Sequence, residues 1–262
     1  MDGTSFNLHH FSWLDHESIG HPEGHAHSLE LFRDSVVRPS LLAIDREIEE
    51  VDRSDEPAAE FFRGDLEDLF QATVEGYVLV VQSMWERALR SLLIAREKML
   101  YEGSQRAALE QASWSGAKGP NLQQHFERLL GVPIAAFDSF EDLDLLQNLG
   151  SAIRHGDGAA ARKVHERAPS LWWNWLPPGE SFDAGPFRVT VPADWPKHPS
   201  FGKVSLTEAV LEQMIQSVKE FWVDLECMRC NSFKRKSESV QRRLDAWPAE
   251  RARRKLSRFW TP

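Results

Sequence analysis

The sequence predicts an all-α protein, on three observations. Apolar residues recur three or four positions apart over long stretches, the period of one helix face. Glycine and proline pairs cut those stretches into helix-sized pieces. Only Phe187-Arg-Val-Thr-Val191 reads as a strand, so any sheet is a minor hairpin. The chain has 262 residues, 42% of them apolar, enough to bury a large core and too many for a disordered polypeptide.

The elements follow in order. Residues 1–28 carry six of the ten histidines and show no helical period, which predicts an irregular N-terminal arm. Leu29, Phe32, Val36, Val37, Leu41, Ile44 and Ile48 predict an amphipathic helix bent near Pro39. Ser54-Asp55-Glu56-Pro57 signals a helix start. The stripe from Phe61 and Phe62 through Leu69, Val78, Trp85 and Leu93 to Tyr101 then predicts a central helix of roughly 65 Å. Glu86 and Arg87 within it read as a buried or interfacial pair. A weak helix around Ala107–Ala112 follows. Asn121 caps a short helix stopped by Gly131, another runs from about Ser139 to Gly156-Asp157-Gly158, and residues 159–167 form a third. Residues 169–204 are a Pro/Trp-rich excursion whose Trp172, Trp173 and Trp175 anchor it to the bundle. Ser205-Leu-Thr-Glu208 has the spacing of a capping box and opens a last long helix that continues into the basic tail. The organisation is therefore an arm (1–28), a helical domain (29–228, with the excursion inside it) and a basic helical tail (229–262).

The formal charge of −9 hides an asymmetry. Residues 1–70 hold 17 acidic and 5 basic residues, whereas 229–258 hold 11 basic and 3 acidic. Lys234, Arg235, Lys236, Arg242, Arg243, Arg253, Arg254 and Lys255, interleaved with Phe233, Trp247, Phe259 and Trp260, are the candidate nucleic-acid contacts. Cations track phosphates, and aromatic faces stack on bases. The competing expectation is a tail docked on the chain's own acidic half.

The stretch NLQQHFERLLGVPIAAFDSFEDLDLLQNLGSAIRHGDGAAARKVHERAPSLW, residues 121–172, joins a helix through a short Leu-Gly linker to a second helix that closes on His-Gly-Asp-Gly. With VVQSMWERALRSLLIA upstream, it resembles the HEPN family, helical bundles of prokaryotic ribonuclease toxins and phage-defence proteins. The resemblance spans about residues 60–170 and a returning helix near 205–225. It implies a dimer with composite sites that cut RNA without metal or cofactor, and a partner from a defence or toxin–antitoxin system. The family pattern is an Arg, often a polar residue, then four to six residues and a His. His155 matches the His. The Arg is not matched, because the permitted positions hold Gly150, Leu149 and Asn148, with Gln147 one step further.

The residues themselves suit the same chemistry. Cleavage through the 2′-hydroxyl needs a group that titrates near neutrality, which His155 supplies. It also needs a cation for phosphate charge, which Arg154 supplies. Asn148, Ser151 and Asp157 complete the candidate catalytic set as polar support. Arg154 and His155 point about 100° apart on a regular helix, so they converge only where the helix ends or where a second subunit contributes. The competing reading is a charged C-terminal cap favoured by the helix dipole, and with it a catalytically inert, HEPN-like adaptor for another protein.

Other signals are weaker. His21, His25 and His27 with Asp15 or Glu23 match no common zinc spacing, and Cys227-x-x-Cys230 has no second pair, so no metal site is expected. Two cysteines exclude a disulfide scaffold and suit a reducing cytoplasm. Charges break every apolar run, so no membrane span is expected, and the N-terminus lacks the pattern of a secretory signal.

Overall fold

A computed structural model describes residues 6–55, 58–116 and 119–254. The fold is all-α, 70% helical, and the sheet among the described residues is a single two-stranded hairpin. Helix α1 (Glu23–Phe32) runs through a π turn (Arg33–Val37) into α2 (Arg38–Asp52). Pro39 lies in the first turn of α2, directly after the π turn, which is the irregularity in an otherwise continuous helical run. Helix α3 (Ala59–Tyr101) is the central rod, flanked by α4 (Arg106–Gln111) and α5 (Leu122–Leu130). Then come α6 (Phe140–His155), α7 (Ala159–Arg167), the strands β1 (Ser181–Ala184) and β2 (Phe187–Thr190), α8 (Glu208–Asn231) and α9 (Glu238–Arg254).

The apolar stripe of α3 is buried only from Val74 onward, through Val78, Val81, Trp85, Leu89 and Leu93, where α5, α6 and α8 cover it. Ahead of that, Phe61, Phe62 and Leu69 are exposed, Phe61 by 80%. The continuous face expected from Phe61 therefore splits. Glu86 and Arg87 do not pair. Glu86 instead takes Arg90 at 2.5 Å, one turn on, and Arg90 also donates to the carbonyls of Leu109, Glu110 and Ala112 at the end of α4. Arg87 donates back to the Ser83 carbonyl.

Helix α6 is held by side chains that sequence periodicity does not reveal. Gly150 lies against α3 so closely that a Cβ would strike the Gln82 amide. Gln82 in turn donates to Gln147 at 2.9 Å. On its other flank, Asp142 accepts from Ser217 of α8 at 2.8 Å and from Gln213.

Four expectations are corrected. Residues 6–22 are irregular, as expected, but they pack onto the bundle instead of standing off as an arm. Leu8, Trp13 and Ile19 are buried, the Trp13 indole donates to the Leu130 carbonyl at 2.7 Å, and α1 already begins at Glu23. Short 3₁₀ turns at Leu8–His10 and His16–Ile19 break any helical period, so the apolar anchors stand singly in the sequence. The cap of α8 is Thr207, whose hydroxyl accepts from the Val210 amide, and not Ser205, which lies in the extended approach. The last helix is not continuous. It ends at Asn231, and α9 starts anew at Glu238 and packs back on α8. Finally, α3 takes no side-chain cap at its start; Glu56 and Pro57 of the expected signal lie outside the described residues.

Gly150→Ala should destabilise the fold by about 1–3 kcal/mol through overpacking. Gln82→Ala in the same chain should recover part of that loss, as measured by urea unfolding of the two single variants and the double.

Candidate functional site

Helix α6 stops because Gly156 takes φ +68°, a left-handed angle that a side chain disfavours, while its amide still bonds the Ala152 carbonyl at 2.7 Å. Arg154 and His155, in the last turn, are both exposed. Asn148, Ser151 and His155 are spaced three, four and seven apart, so they share one face of α6, about 10 Å from end to end. Asn148 and Ser151 are half-buried.

Two of the polar groups are already engaged. Asn148 donates to the Asp144 carbonyl at 2.7 Å and to its carboxylate. That carboxylate also accepts the Trp114 indole at 2.7 Å and Arg167 at 2.5 Å, and Arg167 reaches Glu141 as well. Asn148 therefore belongs to a lattice tying α7 to α6. Asp157, expected as polar support in the catalytic set, instead accepts from the Phe201 amide at 2.5 Å and the Ser200 hydroxyl at 3.1 Å. It pins the returning end of the excursion to the turn between α6 and α7.

That pin creates a cleft the sequence does not disclose. Arg162 of α7 and Lys197 and His198 of the excursion line it, together with Asp157. Nothing local in the sequence places residues 197 and 162 around one cleft; Asp157, reaching forty-odd residues along the chain, helps hold the two segments together. Behind it, His165 packs edge-on against Trp172, Trp175 and His198, and burial with the His198 charge lowers its pKa. Trp172 anchors the excursion by burial and by donating to the Ser200 carbonyl at 3.0 Å, whereas Trp173 is exposed. In the hairpin, Phe182 pairs with Val189 and Ala184 with Phe187, which puts the apolar residues on one face that solvent reaches.

The basic tail divides. Arg243 pairs with Glu23 at 2.9 Å, Arg251 with Asp138 at 2.7 Å and Arg254 with Asp224 at 2.6 Å. Trp247 is buried and donates to Asp224 at 2.7 Å. Phe233 lies under the Arg229 guanidinium and against His16, and Lys236 donates to the Phe233 carbonyl. Lys234, Arg235, Arg242 and Arg253 remain exposed. Lys255, Phe259 and Trp260 lie outside the described residues. Burial holds Asp224 and Glu220 above the usual carboxylate range.

Burial pushes the Cys227 and Cys230 thiols up to about 12 and about 11, so both stay protonated and unreactive near neutrality. Among the described residues no three His, Cys, Asp or Glu side chains gather as metal ligands, and no helix is long and apolar enough to cross a membrane. Compared with protein-family models, curated proteins and solved structures, the chain finds no match.

Two outcomes follow. Asp224→Ala strips the buried partner from Arg254 and Trp247 and should cost about 3–5 kcal/mol. Limited proteolysis should then cut between residues 232 and 237, where the wild type resists. The second concerns acid. Burial lowers the pKa of His9, His25, His125 and His165 in the folded chain. The unfolded chain, titrating near 6.5, then binds more protons, so stability is full above that pH and declines as pH falls below it. The raised Asp224 and Glu220 act in the opposite sense towards the acid end. Thermal melts from about pH 7.5 to about 5.5 should show a falling midpoint, with a shallower slope in His25→Phe.

Proposed function

We propose that the chain is an HEPN-like, RNA-targeting protein that meets RNA at the end of the bundle where α6 stops. The observation that carries this reading is a cleft lined by Arg162, Lys197 and His198 whose wall starts at Asp157, two residues along the chain from the exposed pair Arg154 and His155. A polyanion is drawn to such a cluster, and a histidine beside it can move protons. The reaction that fits is transesterification. A base takes the 2′-hydroxyl proton, the 2′-oxygen attacks phosphorus, and the bond to the 5′-oxygen breaks as that oxygen takes a proton from an acid. His155 fills one of these roles, Arg154 offsets charge on the phosphate, and a second copy of the chain supplies the complementary group. No metal takes part. The setting that fits the resemblance is a cytoplasmic homodimer in a prokaryotic antiphage or toxin–antitoxin system.

A second reading, an inert HEPN-like adaptor, is favoured by a specific observation. Asn148 and Asp157 are committed to structural bonds, and most of the docked tail arginines are neutralised within the chain. RNA cleavage by purified protein in the presence of a chelator separates the two. On the nuclease reading His155→Ala lowers the rate about a hundredfold or more with the melting midpoint unchanged. Equal rates, or no cleavage by either protein, would sink that reading in favour of the adaptor.

A further inference from the structure

The cleft whose wall starts at Asp157, two residues along the chain from His155, has a volume of about 490 Å³, within the range of sites that hold small organic ligands, about 300–1,000 Å³. Its chemistry is unlike a drug-type pocket. Three basic side chains, Arg162, Lys197 and His198, come from two elements of the fold and line one space. The acid in the wall, Asp157, has both carboxylate oxygens committed to Phe201 and Ser200. It therefore acts as a strut, and its single negative charge is set against three basic groups in the same wall. Arg162 brings the forked donor set that matches a phosphate, and Lys197 brings a compact charge. The uncapped first turn of α7 lies in the same wall and adds backbone donors of the same sign.

The walls are also stiff. Pro196 and Pro199 bracket Lys197 and His198 and fix their local backbone. Asp157 and the Trp172 indole both tie the following Ser200 and Phe201 down. A wall whose backbone is fixed before binding loses less entropy when the ligand arrives.

We propose that this cleft binds a phosphodiester of single-stranded RNA, so placing the strand beside His155. The proposal rests on the RNA-targeting reading and sharpens it, because it names the subsite and the residues that the family pattern does not contain. The cleft takes the backbone through charge and forked donors, so binding is indifferent to base sequence and steeply salt-dependent.

The test uses the full chain and the double variant Arg162→Gln/Lys197→Gln. Arg162 and Lys197 are exposed, so the variant should melt with the wild type. Binding of a labelled single-stranded RNA is followed across a salt series, and inorganic phosphate is titrated while the ring signals of His198 are recorded by NMR. The expected result is binding weakened about tenfold for each charge-assisted hydrogen bond removed, with a salt dependence shallower by about one power per cation. It includes phosphate shifts at His198 that vanish in the variant. Unchanged RNA affinity and salt slope in the variant would overturn the cleft and leave RNA targeting standing. No RNA binding by either protein, with phosphate still shifting His198 in the wild type alone, would overturn both RNA statements and leave a small-anion site. Silence in both measurements overturns everything proposed for this end of the bundle.

Discussion

The bundle depends on Phe221. This α8 side chain is wholly buried and meets Phe137 of the linker before α6 at 4.8 Å, Phe126 of α5 at 5.9 Å and Trp85 of α3 at 6.2 Å. Phe126 and Phe137 also touch each other at 5.8 Å, and Trp85 continues to Trp114 at 4.8 Å. Each such ring removes about 150–250 Å² from water, worth at most about 4–6 kcal/mol. Among the described residues no other ring joins so many segments through groups of that size. With Phe221 in place, the angle at which α6 leaves the core is set, and Gly150 lets it sit close against α3. The location of His155 at the far end of α6 is therefore a consequence of packing about one to five turns earlier.

Charge is distributed by the same logic. Part of the basic excess of the last thirty residues is spent within the chain, on one carboxylate of the acidic first seventy residues and two from beyond them. Glu23, Asp138 and Asp224 take up Arg243, Arg251 and Arg254, and the Trp247 indole closes the seam. A buried carboxylate such as Asp224 is costly unless it is both paired and hydrogen-bonded, and here it is both. Opposite charges far apart in sequence thus became the clamp that folds α9 back on α8. The cations that face solvent beside a concave surface are elsewhere, at the turn between α6 and α7.

Much of the local structure was legible in the residues. Asn121 and Gln124 form the reciprocal capping box of α5, Gly131 ends it in a left-handed turn, and α7 runs from Ala159 to Arg167 as the pattern requires. These features are decided by hydrogen bonds within a few residues. The misses share one cause. Trp13 and Ile19 are buried by partners in α3, α5 and α8, and no period marks them because their segment turns in 3₁₀ steps. The exposed start of α3 looks identical in sequence to its buried half, since hydrophobic spacing reports a face and not whether a neighbour covers it. Asp157 illustrates the same point at the candidate site. An acid after a helix stop has several local uses, and only the fold chose Phe201 and Ser200.

By itself, the sequence determined that this is a helical protein, where most of its helices begin and end, and that His155 and Arg154 close one of them. Those properties depend on backbone geometry and capping over a turn or two. Tertiary structure alone decided that Arg243, Arg251 and Arg254 are spent on the chain's own carboxylates, that Asn148 braces α7, and that Arg162, Lys197 and His198 share a cleft. Each of those outcomes pairs groups that are distant along the chain. Such pairs form only when burial elsewhere has already fixed the helices, because no short-range preference can offset the entropy of bringing them together.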